Sequence, residues 1–338
     1  MDSALIMFLP LMALIFLGVP VAFALISVAL VFSVMEYGGG TVHLFVAKVQ
    51  EITSSHVLAA APLFIFMGAM LERSGTAERL FEAIHMWTRR MPGGLAVGTI
   101  VMCVLFAASS GVVGATETVV GMLAIPVMLR YGYDKGLISG TICAGGSLGS
   151  IIPPSVLVVI LSLIAEIGIG DMFAGMLFPG LILATLYILY ILVRCALDPK
   201  SGPRLPPTED DPPLIEKLQI TAVALLPPVI LIFVVLGTII GGMAVPTEAA
   251  SMGAVGALVL TIIYQNFTFG VLKEAILKTI SITAMILTIL LGGTMFSSVF
   301  IGSCGYTAAE EIIEVMQLGG WGTLFLILFL VFLAGFVM

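Results

Sequence analysis

Long apolar runs separated by short polar stretches dominate the chain. They cover roughly residues 4–35, 57–71, 95–129, 136–165, 172–197, 214–242, 245–264, 275–301 and 321–338. The runs from Ala4 to Met35, Leu214 to Gly242 and Trp321 to Met338 are about as long as the roughly 20 residues that carry an α-helix across a bilayer core. The pattern predicts membrane-spanning helices. The first run is expected to be a membrane helix rather than a cleaved leader, because Met1-Asp2-Ser3 supplies no basic residue and the apolar run is too long. Glu72 to Arg90 spaces its charges at near-helical intervals, which predicts an amphipathic connector at the membrane interface. Small polar residues interrupt the 95–129 run, and glycines, serines and two prolines crowd the middle of 136–165.

Composition sharpens this reading. Of 338 residues, 60% are hydrophobic and 10% charged, whereas a soluble domain is nearer half apolar and a quarter charged. A soluble core cannot hide so much apolar surface, and a transmembrane barrel would show short alternating strands. The expected class is an all-α polytopic membrane protein. The net charge of −7 is spread over the loops and says little about partners. Cys103, Cys143, Cys195 and Cys304 form no CxxC, so neither a disulfide nor a metal is indicated. His43, His56 and His85 lie in or near loops and read as interfacial polar residues.

The longest polar stretch, Asp198 to Lys217, holds two Pro-Pro steps and is expected to be an extended linker. The parts on either side resemble each other. Val19-Pro20 matches Val245-Pro246, Gly93-Gly94 matches Gly319-Gly320, and Phe106 and Ala108 match Phe332 and Ala334, each pair 226 positions apart. An internal repeat in a membrane protein points to a transporter, usually with inverted topology. The expected organisation is a first repeat at 1–197, a linker at 198–217 and a second repeat at 218–338. At the same offset, the counterpart of "GSIIPPS" at 149–155 falls at 375–381. The expectation is therefore a second copy truncated before its own hairpin tip and Pro-Pro segment.

Two stretches carry candidate chemistry. In "FAASSGVVGATETVVG", residues 106–121, a half-length helix from Leu95 to Phe106 and another from Val119 to Leu129 meet at small polar residues. This predicts a re-entrant hairpin with Ser109, Ser110 and Thr116 at its tip. A continuous helix with a small-residue packing face is the alternative. Irregular backbone at membrane depth persists where protein buries it or a wet cavity meets it, and its freed carbonyls and hydroxyls can hold a cation. In "CAGGSLGSIIPPS", residues 143–155, Pro153 and Pro154 disturb the helical ladder behind them. Together with Gly145, Ser147, Gly149, Ser150 and Ser155 they predict an unwound segment with free carbonyls; the alternative is a simple proline kink. Glu117 is an acid deep in an apolar run, a candidate proton or cation site, or else a side chain reaching water from the hairpin mouth. Glu248 in "VPTEAA" reads as a first-turn helix acid favoured by the dipole.

"PLFIFMGAMLERSG" (62–75), "FAASSGVVGAT" (106–116), "GTICAGGSLGSIIPPS" (140–155) and "VPTEAASMGAVGAL" (245–258) resemble, in order and spacing, the large transmembrane subunit of the tripartite ATP-independent periplasmic (TRAP) transporters. The resemblance covers nearly the whole chain. It implies an inverted-repeat secondary transporter of elevator type in a bacterial inner membrane. It also implies a small four-helix membrane subunit and a soluble periplasmic substrate-binding protein as partners. Uptake of organic acids (dicarboxylates, keto acids or sialic acid) would be driven by sodium as coupling ion, with no cofactor. Carried over residue by residue, it implies a sodium site from Ser110 and the backbone carbonyls of Gly149, Ile152 and Pro153. Ser109, Thr116, Glu117, Gly145, Ser147, Ser150, Pro154 and Ser155 would line the hairpin and substrate path. Val112 and Val113 stand where the family often has a second hydroxyl, so that oxygen would come from elsewhere, such as Thr116.

The alternatives follow from the same residues. Glu117 could carry a proton in place of sodium coupling, or the chain could be a non-transporting membrane scaffold. An embedded enzyme finds no support, since HExxH and clustered membrane acids are both missing from the sequence. Arg73, Arg79, Arg89 and Arg90, weighed against the other basic loops, favour a periplasmic N-terminus.

Overall fold

The computed structural model describes residues 2–111, 113–204, 213–316 and 319–337. Among these, the chain forms sixteen α-helices and no strand. In order they are α1 (Asp2–Ile6), α2 (Phe8–Phe16), α3 (Val21–Tyr37), α4 (Thr41–Thr53), α5 (Ala60–Arg73), α6 (Thr76–Thr88), α7 (Gly94–Ser110) and α8 (Val113–Arg130). There follow α9 (Lys135–Ile151), α10 (Val156–Ala165), α11 (Ile169–Leu197), α12 (Leu214–Ile240), α13 (Pro246–Ile263), α14 (Phe269–Gly302), α15 (Gly305–Val315) and α16 (Gly320–Val337). Five stretches are long and apolar enough to cross a membrane, and α9 with α10, bent by 43°, make a sixth. The chain is an all-α polytopic membrane protein.

The breaks are local chemistry. The apolar run 4–35 is not one helix. Gly18 takes φ +85° behind α2, and Pro20 follows it. A left-handed glycine with a proline just beyond is a helix stop, and apolar periodicity alone does not register it. The amphipathic connector expected at 72–90 is α6, and Gly75, at φ +74°, separates it from α5. The turn before it is held from across the fold. Asn266 Nδ2 donates to the Ser74 carbonyl at 2.8 Å, Arg73 pairs with Glu274 at 3.2 Å, and the Arg79 guanidinium lies 4.4 Å above the Tyr264 ring.

Two compact units emerge, each with its own core. In the first, residues 1–55 with 284–338, Met7, Leu11, Val28, Met295, Phe296 and Val299 are buried together. The Phe8 ring meets Phe296 and Phe300 edge-on, 5.5 Å away in each case. In the second, residues 56–283, α5 lies along α13. A side chain at Gly253 would begin 2.6 Å from the Met67 sulfur, so the glycine sets that close approach. Phe64 and Phe173 pack as a T at 6.3 Å. Such small-residue contacts are how membrane helices gain dispersion energy where lipid offers no hydrophobic gain.

Helix bounds recur at the offset read from sequence. Moved 226 positions, α3 falls on 247–263 and α7 on 320–336, against α13 at Pro246–Ile263 and α16 at Gly320–Val337. One place departs from this: the gap between α4 and α5, residues 54–59, corresponds to 280–285, which lies inside the uninterrupted α14.

The candidate site: a hairpin tip on a proline break

Two helices of nearly equal length, α7 and α8, form a hairpin, and α9 packs against both. The hairpin base is tied to the start of the polar linker. Gly93 N–H donates to the Gly202 carbonyl at 3.1 Å, and Asp134 N–H to the Ser201 carbonyl at 3.0 Å. Asp134 also caps α9, its carboxylate accepting from Leu137 N–H at 3.0 Å. Residues 205–212 of the linker lie outside the described residues.

The hairpin turns more tightly than the sequence reading predicts. Helix persists through Ser110 and resumes at Val113, so the turn is not the eight-residue link 109–116. Ala, Ser and Thr sustain a helix whose flanks are packed; the stop is Gly111, which ends α7 at φ +60° with its N–H on the Ala107 carbonyl at 3.0 Å. A Cβ there would sit 2.7 Å from the Pro154 carbonyl oxygen and 3.4 Å from Ser155 Cα. The tip therefore rests directly on the proline break. The side chains of Ser109, Ser110 and Val113, and Val112 altogether, lie outside the described residues.

The break is as short as its prolines require. Ile152 and Ser155 are extended, at φ −78°, ψ 121° and φ −115°, ψ 135°, and α10 starts at Val156. Pro153 and Pro154 have no N–H to give the carbonyls of Gly149 and Ser150. Among the described residues, no backbone N–H is directed at the carbonyls of Gly149, Ile152 or Pro153. Ile152, Pro153, Pro154 and Ser155 are all buried in protein, the condition under which irregular backbone survives at membrane depth. Ser155 is wholly buried, and its Oγ has no hydrogen-bond partner among the described residues. A buried polar atom left unpaired costs about 1–3 kcal/mol, so this hydroxyl is an unmet polar group at the break where the prolines leave carbonyls without a donor.

The other residues named from sequence divide. Gly145 and Gly146 are helical, not unwound. A Cβ at Gly145 would be 2.5 Å from the Cys103 sulfur on α7, and one at Gly146 would be 1.9 Å from Glu117 Cγ on α8. Adjacent glycines thus receive the two arms of the hairpin. The Ser147 and Ser150 hydroxyls donate back to Ala144 and Ser147 carbonyls of their own helix, both at 2.8 Å. Thr116 is wholly buried. Glu117 is half-buried, its side chain lying in the notch that Gly146 leaves. The tip and the Pro-Pro break were legible as motifs. Gly111 as their contact point was not, because a single glycine among small residues carries no distinctive signal. Glu248 is where its reading puts it, its carboxylate accepting from Val245 N–H at 3.2 Å at the start of α13.

Against known proteins, a family model described as "Tripartite ATP-independent periplasmic transporter, DctM component" matches residues 8–338. The C4-dicarboxylate TRAP transporter large permease protein of Pseudomonas aeruginosa is 30% identical over 270 residues, which is 79% of this chain and 61% of that protein. The ectoine TRAP transporter large permease protein of Halomonas elongata is 28% identical over 334 residues, 97% of this chain and 76% of that one. The sialic acid TRAP transporter large permease protein of Vibrio cholerae is 29% identical over 288 residues, 84% and 65%. These relatives are permease proteins, not enzymes. The chain spans 61% and 54% of the lengths of the C4-dicarboxylate relatives from P. aeruginosa and V. cholerae.

Proposed function

The chain belongs to the DctM component family of the tripartite ATP-independent periplasmic transporters, and on that premise we propose that it is the permease subunit of a sodium-coupled organic-acid importer. The observation that carries the reading is the unpartnered, buried Ser155 hydroxyl at the break where Gly111 lands. Sodium would be held by Ser155 Oγ, the carbonyls of Gly149, Ile152 and Pro153, and the tip residue Ser110. Unwound carbonyls facing a hairpin tip suit an alkali cation. A hairpin tip that closes on the break when the ion is present, and lifts when it leaves, would link ion occupancy to movement of α7–α10.

The matching bounds of α3 with α13 and of α7 with α16 support a two-copy plan, with the first copy at 1–197 and the second from 218 onward. A small membrane subunit and a periplasmic binding protein would complete the system in a bacterial inner membrane, the binding protein choosing the organic acid. The test is uptake of labelled organic acid into vesicles carrying this subunit with both partners, with sodium exchanged for potassium at fixed pH. Uptake that follows sodium supports the reading, and uptake indifferent to it defeats it.

Glu117 favours a second reading, because its half-buried side chain has a shaped seat on Gly146. There it would bind a proton, and uptake would follow a pH gradient and lose that dependence in Glu117→Gln.

Replacing Pro153 by alanine returns an N–H to the Gly149 carbonyl. Uptake is expected to fall by at least about tenfold, equivalent to about 1.4 kcal/mol, while the melting temperature of the purified chain changes by only a few degrees. Normal uptake would mean the Pro-Pro step is only a bend.

A further inference from the structure

Beside the hairpin, where α9 faces α11 and Ile100 of α7, lies a second feature that ion coupling does not use. Gly136, Gly140 and Ala144 form a small-residue stripe along the first half of α9, facing Tyr187 and Arg194 of α11 across a groove of about 410 Å³. A Cβ at Gly140 would meet nothing within 4 Å, so this glycine is not serving a contact inside the chain. Thr141 lines the same groove, is 3% exposed, and has a buried Oγ with no hydrogen-bond partner among the described residues. A helical threonine ordinarily returns its hydroxyl to the carbonyl four residues back, and this one does not.

The groove is polar at one end and apolar along its length. Arg194 sits at the rim, donating to the Tyr190 hydroxyl at 3.0 Å and lying 3.4 Å from the Asp134 carboxylate. Arg130, Lys135 and Lys200 stand exposed in the turns that end α8, start α9 and follow α11, and with Arg194 these four basic residues outnumber the two carboxylates among them, Asp134 and Asp198. Thr141 lies six residues into α9 from Lys135, about 9 Å deeper at 1.5 Å per residue. A molecule that fits carries an anionic head, a hydrogen-bond acceptor about 9 Å below it, and an apolar tail. A membrane helix is a poorer match. It would need a seam along the whole of α9, and the second half of that helix is occupied by the hairpin at Gly145 and Gly146.

We propose that this groove binds an anionic phospholipid, its phosphodiester at Arg194 and Lys135, an ester carbonyl accepting from Thr141, and one acyl chain over Gly140 and Ala144. Basic residues at a membrane surface attract anionic lipid, and the lipid gives the Thr141 hydroxyl a partner. The inference requires only that the chain lies in a membrane and does not rest on sodium coupling.

The experiment measures retention of phosphatidylglycerol against phosphatidylcholine by the purified chain in mild detergent, by native mass spectrometry. Phosphatidylglycerol is expected to be retained about fivefold over phosphatidylcholine, and Arg194→Gln to remove about that preference, as one basic residue near anionic lipid provides. Gly140→Leu, which has room for its side chain, should abolish retention without lowering the melting temperature in lipid-free detergent. Thr141→Val should weaken retention yet leave the lipid-free chain as stable or more so, an opposition that a purely structural role would not produce. Equal retention of the two lipids, unchanged by Arg194→Gln and Gly140→Leu, overturns the proposal. So does displacement by millimolar inorganic phosphate, which would mark a free-anion site. A Gly140→Leu chain that keeps phosphatidylglycerol but loses a co-purifying membrane protein would assign the groove to a helix instead.

Discussion

Gly111→Val is expected to abolish sodium-dependent transport and to destabilise the hairpin by roughly 2–5 kcal/mol. Two costs combine. A β-branched residue at φ +60° bears about 1–2 kcal/mol of left-handed backbone strain. Its Cβ, 2.7 Å from the Pro154 carbonyl, meets backbone rather than a movable side chain, and overpacking of that kind costs about 1–3 kcal/mol. The clash falls on the contact that joins tip to break, so function should fail even where the rest of the chain stays folded. Melting of the variant in detergent, with and without sodium, separates these effects. A melting temperature like wild type, with sodium still raising it, would mean that the tip does not rest on the break.

The second large effect is expected at Gly146. Alanine there would place its Cβ 1.9 Å from Glu117 Cγ, and the carboxylate would have to leave its notch or α8 would have to shift. The expected loss is about 1–3 kcal/mol of stability. It should be largely relieved when Glu117 is also replaced by alanine, giving a coupling of at least about 1 kcal/mol in the double-mutant cycle. Additive losses would show that Gly146 acts through packing unrelated to Glu117. Uptake by the Glu117→Ala chain then decides whether the carboxylate serves transport or only fills space.

How much of this could be read from residue order depends on the kind of signal. Apolar length announced the membrane, and two prolines with no N–H placed the α9–α10 break within a residue or two. The starts of α7 at Gly94 and α16 at Gly320 are 226 positions apart, the same spacing as the Gly93-Gly94 and Gly319-Gly320 match. Other features were missed or misplaced. The stop at Gly18–Pro20 was hidden inside an unbroken apolar run. Helix α4, Thr41–Thr53, was not foreseen because it mixes His43, Lys48 and Glu51 with apolar positions. The glycines before Pro153 looked like one flexible stretch. Gly145 and Gly146 are instead rigid seats for the two hairpin helices, because a missing Cβ can serve close approach as well as bending. Ser155, one of several serines in the motif, stands out only once Ser147 and Ser150 are seen bonding back to their own helix.

The most direct test of the account is the melting temperature of the purified chain in sodium against potassium at equal ionic strength, beside Ser155→Ala. Every described residue assigned to the ion lies in α9 or in the break that follows it, so this chain should respond by itself. Sodium should raise the midpoint, by the equivalent of about 1.4 kcal/mol at ten times its Kd and rising with the logarithm of concentration beyond that, potassium should not, and Ser155→Ala should remove the difference. Equal midpoints in the two salts, or a sodium response that Ser155→Ala leaves intact, would contradict a cation site at the proline break.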